Sequence, residues 1–188
     1  MTTNFVQAAL LTLVLSLFYT PHQAQDVRGP NLDSPGDEHR RLDGLVGTWD
    51  VSVSFPLGPG KTGQGRSSLD ATWVMDGRFV RQEYASTFMS KPLSVVRYLG
   101  FDRYKGKVVE IQFESTHTDV MQNEGTISPD GKTVTTFGEH VDTAAGRSVR
   151  VRSLTTFVDA DTFTTELFYD EGSPNAKKIT LTHRRKKI

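Results

Sequence analysis

A period of two in the placement of apolar side chains runs from Thr48 almost to the C-terminus and limits the possible folds more than any other feature. In the first segment Trp49, Val51, Val53 and Phe55 alternate with polar residues, which is typical of a strand with one buried face. The same alternation recurs in nine further segments: 65–74, 78–86, 93–101, 107–116, 119–127, 133–141, 147–158, 162–169 and 177–185. The sequence therefore predicts ten β-strands.

The connections between these segments are short and carry turn residues. Asp76-Gly77 and Asp130-Gly131 are typical of tight hairpins, and three other reversals are marked by Lys105-Gly106, Ala145-Gly146 and the run from Glu171 to Pro174. No segment after Gly47 has a helical period long enough for a crossover, so we expect an antiparallel meander. Ten strands in one sheet would expose two long edges, and closure into an up-and-down β-barrel removes both.

A short helix is predicted before the first strand. Ser34 and Asp37 have the spacing of a capping box, and Pro35 suits the first helical position. Gly47 marks the end of the helix. One narrow apolar stripe is predicted, formed by His39, Leu42, Leu45 and Val46.

The N-terminal residues predict export. Val6 to Phe18 is an apolar run of a length typical of secretory signal peptides. We therefore predict a signal peptide at 1–25, a linker at 26–36, a barrel domain at 37–188, and a periplasmic or secreted protein. An uncleaved amphipathic or anchor helix is the alternative interpretation of the first segment.

Composition excludes several classes of partner. The 188 residues contain 22 Lys plus Arg and 22 Asp plus Glu, so no overall charge draws the chain to nucleic acid. We expect neither a nucleic-acid partner nor stable membrane insertion once the signal peptide is removed. The chain has no cysteine, which excludes disulfides and thiol catalysis. The oligomeric state is left open.

Several catalytic and metal-binding motifs are absent or incomplete. Gly60-Lys61-Thr62 resembles part of a phosphate-binding loop, but Phe55 replaces the required glycine and a strand follows, so we expect a hairpin. The histidines show no metal-ligand spacing, and no G-x-S-x-G motif occurs. We assign no catalytic residue, and we interpret the carboxylates on the strands as a solvated face: Glu83, Glu110, Glu114, Glu139 and Glu166.

Five motifs in order support a family resemblance over about residues 37–187. They are the helical segment His39-x-x-Leu42-x-x-Leu45-Val46, the Gly47-Thr48-Trp49 motif at the head of the first strand, Gly77-Arg78-Phe79-Val80, Gly100-Phe101-Asp102 and the terminal Arg185-Lys186. The antiparallel meander adds to the resemblance. The chain resembles the lipocalin-like (calycin) barrels and, more closely, the bacterial domain of unknown function 1579 (DUF1579) family.

The resemblance implies how one end of the barrel is closed. In calycin barrels the tryptophan of the G-x-W motif closes the narrow end, and an arginine from the last strand packs over its ring. Trp49 is therefore expected to close the barrel, with Arg185 above it and Gly47 allowing close approach. Gln112 and Glu114 align with a tryptophan and an acid usual in the family, and His183 aligns with a tyrosine.

Alternation also suggests which side chains line the lumen. His183 shares a face with Arg185, so we expect it to point inward, either toward a ligand or satisfied by a neighbouring hydroxyl. The fifth strand is ambiguous, because its Ile111, Phe113 face is the more apolar while its Gln112, Glu114 face is polar. The candidate ligand-binding residues are His183, Gln112, Glu114, His117 and Phe113.

Three functional hypotheses follow. The first is a barrel that binds a small apolar or amphipathic molecule in its lumen without a cofactor. The second is a haem-binding or nitrogen-oxide-processing barrel similar to nitrobindins, which needs His117, His140 or His183 to face an empty lumen. The third is a packed structural protein of the envelope with no ligand.

Overall fold

The computed structural model describes residues 31–88, 90–142 and 146–187. All ten predicted strands are present, and the expected all-β fold class is confirmed. Their bounds are β1 Gly47–Gly58, β2 Lys61–Val74, β3 Phe79–Phe88, β4 Lys91–Asp102, β5 Lys107–Glu114, β6 Met121–Ile127, β7 Thr133–Asp142, β8 Arg147–Asp159, β9 Thr162–Tyr169 and β10 Lys177–Arg185. The predicted signal peptide lies outside the described residues.

The strands form one closed antiparallel barrel in which each strand pairs with its neighbours in sequence and β1 pairs with β10. The closing pair places Trp49 opposite Arg185 and Val51 opposite His183. Tight reversals join the strands, and at the β2–β3 turn Asp76 and Gly77 have φ values of 54° and 80°. The Gly60-Lys61 segment is the β1–β2 hairpin, as expected from the missing phosphate-loop glycine.

The segment before β1 differs from the single helix that the sequence predicts. It forms a four-residue helix, α1 (Asp37–Arg40), and then a 3₁₀ turn at Asp43–Leu45. Gly36, rather than Ser34, is the N-cap, and its N–H donates to Nδ1 of His39 at 3.1 Å. The 3₁₀ turn brings side chains three residues apart onto one line, and Leu42 and Leu45 are both completely buried.

Residues 31–36, which the sequence assigns to a linker, contact the barrel. The guanidinium of Arg78 donates to the carbonyl of Asp33 at 2.8 Å, and that of Arg103 donates to the carbonyl of Ser34 at 3.1 Å. Tyr104 also donates to the Asp33 carboxylate. The folded part of the chain therefore begins before residue 37. Within the described ranges, no helix is both long enough and apolar enough to cross a bilayer.

The antiparallel order gives the barrel two distinct ends. We call the end that carries residues 31–46 and the β2–β3, β4–β5, β6–β7 and β8–β9 turns the closed end. The opposite end, with the other five connections, is the open end. Most of the fully buried apolar side chains form a core near the closed end, including Leu42, Leu45, Trp49, Leu69, Val80, Leu99, Val108, Val134 and Phe163.

Candidate functional site

The interior changes from apolar to polar along the barrel axis. At the closed end Trp49 is 1% exposed, and its Nε1 donates to the carbonyl of Leu45 at 2.9 Å. The Arg185 guanidinium lies over the Trp49 ring, with 4.1 Å between Cζ and the ring centroid. Arg185 Nη1 also donates to the carbonyl of Val46 at 3.0 Å. These contacts have the arrangement that the calycin resemblance implies for this end.

Above the core lies a set of buried polar side chains from five strands, which we call the central network. It consists of Gln82, Tyr84, Arg97, Glu110, Thr136 and His183, all buried. Arg97 Nε donates to Gln82 Oε1 at 2.6 Å, and Arg97 Nη1 lies 3.5 Å from Glu110 Oε1. Thr136 donates to the second oxygen of Glu110 at 3.0 Å. Both carboxylate oxygens of Glu110 therefore have partners inside the barrel.

His183 lies in this network with both ring nitrogens engaged. Its Nε2 is 3.2 Å from the Tyr84 hydroxyl and its Nδ1 is 3.3 Å from the carbonyl of Phe163, whose ring stacks on it at 3.9 Å between centroids. Burial and the nearby Arg97 charge lower the pKa of His183 to about 3. This is the arrangement of a histidine satisfied by its neighbours, and iron coordination by His183 would break one of these contacts.

The burial of β5 decides which of its faces points inward. Val108 and Glu110 are 0% and 4% exposed, whereas Ile111 and Phe113 are 40% and 44% exposed. Gln112, two residues from Glu110, therefore points inward with Glu114. The prediction that Phe113 lines the lumen is wrong, because its ring lies on the outer surface of the barrel, and the interpretation of Glu110 as solvated is also wrong.

Near the open end, inward-facing residues and the β5–β6 loop form what we call the rim cluster: Gln112, Glu114, His117, His140 and Tyr169. Gln112 Nε2 donates to Glu114 Oε1 at 2.9 Å, and His117 Nδ1 lies 3.5 Å from Glu114 Oε2. The rings of His117, His140 and Tyr169 follow one another at centroid distances of 5.7 and 6.0 Å. Three of the predicted residues are thus brought together here.

Burial and nearby carboxylates keep the Tyr169 phenol of the rim cluster protonated. Burial, together with the charges of Glu114 and Glu110, raises the pKa of Tyr169 well above its usual range, so that the phenol keeps its proton. His140 Nδ1 is 3.5 Å from Asp119 Oδ2 and has no hydrogen bond to any residue that the structure describes. Nowhere in the described ranges do three or more His, Asp or Glu side chains form a group suited to a metal ion.

Comparison with known proteins identifies the family. The family model described as "Protein of unknown function (DUF1579)" matches residues 34–185. The chain belongs to the DUF1579 family. The match begins at residue 34, in agreement with the contacts that residues 31–36 make with the barrel.

Solved structures similar to this DUF1579 chain share its fold. Rv2717c from M. tuberculosis superposes with a TM-score of 0.61 and 16% identity, covering 82% of this chain and all of that one. The S-type phycobiliprotein lyase CPES from Guillardia theta gives a TM-score of 0.54 and 15% identity, covering 82% and 99%. At these identities the likeness concerns the fold alone. Among curated proteins none matches.

The central network of this DUF1579 domain was missed by the sequence reasoning, apart from His183. Arg97 stands between Val95 and Leu99 on the inward face of β4. An arginine among alternating apolar residues was the sequence feature that could have indicated a buried polar group. Its partners Gln82 and Glu110, and Thr136, which donates to Glu110, lie on other strands and had no local signal. Two nitrogen donors of the network, Arg97 Nη2 and Gln82 Nε2, are buried and have no hydrogen-bond acceptor within the described part of the chain.

Proposed function

We propose that this DUF1579 domain binds a small amphipathic molecule in the half of the lumen nearer the open end. The proposal rests on the solvent exposure of inward-facing side chains, which is greater at the rim cluster than in the core near the closed end. Inward residues near the closed end, such as Trp49 and Leu69, are at most 1% exposed, whereas Gln112, Glu114 and Tyr169 point inward yet remain partly exposed. Partly exposed side chains on the inner face of a barrel are typical of a lumen that admits solvent or ligand.

The lining of this region supports an amphipathic rather than a purely apolar ligand. Val53, Val95 and Leu181 share the inner face and are only partly buried. The rim cluster adds amide, carboxylate, imidazole and phenol groups. A few polar groups set in an apolar wall are typical of small-molecule pockets, where the polar groups fix the orientation of the ligand.

A cleft at the open end supports an entry route. It is an open cleft of about 280 Å³ between the β7–β8 and β9–β10 connections. Val149 and Tyr169 contribute inward side chains to it, and charged side chains including Arg147, Asp170 and Lys177 surround them. The cleft thus combines two inward-facing side chains with a charged surround.

Export is the second part of the proposal. The apolar run from Val6 to Phe18 supports delivery to the periplasm or the exterior. Native mass spectrometry of the protein purified from its own envelope tests both parts, because we expect a chain shortened near residue 25 and a co-purified small molecule. Full-length chain masses with no additional mass in repeated preparations would contradict the proposal.

A variant that fills the lumen provides a sharper test. Gly65 lies on the inner face of β2 opposite Val53, and an added Cβ would meet only ordinary contacts, at 3.7 Å from the Phe55 ring and 3.8 Å from Val53 Cβ. Gly65→Phe therefore places a ring in the lumen near the open end. Arg66→Phe adds the same ring at the neighbouring exposed position and is the matched control.

The probe for these variants is Nile red, a neutral apolar dye whose fluorescence rises in apolar surroundings. We expect the parent chain and Arg66→Phe to bind it with similar affinity, and Gly65→Phe to bind it at least tenfold more weakly. Equal binding by both variants would place the dye on the outer surface and would contradict the lumen as the site. Circular dichroism checks that both variants keep their strand content.

A further inference from the structure

Two buried donors in the central network lack an acceptor. Arg97 and Gln82 are opposite one another across β3 and β4, and they are 4% and 0% exposed. Because Gln82 Oε1 accepts from Arg97 Nε at 2.6 Å, the amide NH₂ of Gln82 is left as a donor. Neither this nitrogen nor Arg97 Nη2 has a hydrogen-bond partner among residues 31–88, 90–142 and 146–187. Buried donors in native proteins are nearly always paired, so two neighbouring exceptions call for an acceptor.

The charge of Arg97 is already balanced. Glu110 Oε1 lies 3.5 Å from Arg97 Nη1, and Thr136 donates to Glu110 Oε2. The other groups around the guanidinium are neutral near pH 7, because burial raises the pKa of Tyr84 and keeps that of His183 at about 3. The central network therefore offers hydrogen-bond donors without an unpaired positive charge.

A carboxylate faces the lumen between the open end and the central network. Glu114 faces the lumen above the central network, and among the described residues its ion-pair contact is with His117 at 3.5 Å. A ligand anion would pass this carboxylate and then lie buried without a matching cation, which is strongly unfavourable in a low-dielectric interior.

From the balanced charge and the two free donors we infer that the ligand is a neutral molecule whose carbonyl-type oxygen accepts hydrogen bonds from Arg97 Nη2 and Gln82 Nε2. Ketones, esters and amides have this chemistry, whereas carboxylates and phosphates do not. The inference rests on the proposed function and specifies the class of ligand for the same lumen. Neighbouring atoms shield both donor nitrogens from solvent. The side chains around them must therefore move before a ligand oxygen can reach them.

The experiment compares three probes of equal chain length, octanamide, octanoate and octane, as competitors of Nile red at pH 8. In the parent protein we expect octanamide to bind at least tenfold more tightly than octanoate or octane. In Glu110→Gln the balancing carboxylate is lost, so octanoate should gain at least tenfold while octanamide changes less than threefold. Glu83→Gln, at the neighbouring exposed position of Gln82 on β3, is the matched control and should behave as the parent.

A second measurement covers the case in which Glu110→Gln fails to fold. The infrared carbonyl band of ¹³C-labelled octanamide bound to the parent protein should lie at lower frequency than the band of octanamide in octane, because two donors polarise the bond. Octanoate binding more tightly than octanamide would overturn the inference. Retained Nile red binding with no preference among the probes would mean that the donors hold a buried water only. If neither Nile red nor any probe binds, the proposed function fails as well.

Discussion

The guanidinium carbon of Arg185 lies 4.1 Å from the centroid of the Trp49 ring, so that a side chain of the last strand covers the buried indole of the first. The same guanidinium donates to the carbonyl of Val46 and, through Nε and Nη2, to that of Ala160 at 3.2 and 3.0 Å. One side chain therefore joins β10, the segment before β1 and the β8–β9 turn. The first and last strands of the barrel meet at this point.

Replacement of Arg185 by leucine should destabilise the domain. A cation–π contact contributes about 0.5–2 kcal/mol and a hydrogen bond about 1 kcal/mol, so we expect Arg185→Leu to lower the free energy of unfolding by about 1–3 kcal/mol. Urea unfolding followed by tryptophan fluorescence measures this change. Arg184→Leu, at the exposed neighbouring position, is the control, and an equal loss in both variants would contradict the role of Arg185.

Gly47 allows Arg185 to reach the closed end, and alanine should not be tolerated there. Its φ of +134° is rarely adopted by residues with a Cβ, and the added carbon would overlap Arg185 Nη1. Strain of this kind costs about 1–3 kcal/mol before the displaced contacts are counted. We expect a larger loss in Gly47→Ala than in Gly65→Ala, whose Cβ meets only ordinary contacts. Similar thermal midpoints for both variants would be evidence against this account.

The architecture could be predicted because it depends on local patterns. Alternation identifies a strand from about six residues, and a pair such as Asp130-Gly131 identifies a turn from two. Closure followed from counting strands without a crossover helix. Trp49 and Arg185 were paired only through the family resemblance, since 136 positions separate them in the sequence. The 3₁₀ turn was missed because spacings of three also suit an α-helix.

The candidate site was harder to predict because its contacts connect distant strands. On β5 the more apolar face, with Ile111 and Phe113, points to solvent, while Glu110 and Gln112 point inward. Hydrophobicity alone assigns such a strand to the wrong face when the interior contains a polar network. The ion pair of Arg97 and Glu110 forms across neighbouring strands, and no local pattern distinguishes it from a solvated pair.

Stability should fall in mild acid because of His183. Its pKa is about 3 in the folded protein and about 6.5 when unfolded, so between these values the unfolded chain binds a proton that the folded chain excludes. This residue should lower the free energy of unfolding by about 1.4 kcal/mol for each pH unit below 6.5, with no contribution above it. Urea unfolding at pH 4, 5, 6 and 7.5 measures the slope.

His183→Gln tests the assignment of this slope. The pKa of His39 is also lowered by burial, so His39 contributes with the same sign in both proteins. The free energy of unfolding of the variant should therefore still fall in acid. Its slope against pH should be smaller by the contribution of one proton, about 1.4 kcal/mol for each pH unit. Parallel stability curves for the parent and His183→Gln over this pH range would show that His183 is not the titrating group.

The buried pair of Arg97 and Glu110 should show strong energetic coupling. Removing one partner leaves a buried charge unmatched, so Arg97→Met alone should cost about 3–5 kcal/mol, while Arg97→Met combined with Glu110→Gln should cost less than the sum of the two single changes. A double-mutant cycle by urea unfolding should give a coupling of about 1–3 kcal/mol.

The Arg81–Glu83 pair on the outer face of β3 serves as the reference. Its side chains are 41% and 47% exposed, and we expect a coupling free energy below about 1 kcal/mol. Equal couplings for the two pairs would mean that solvent reaches Arg97 and Glu110, and the lumen would then be wet to the level of His183.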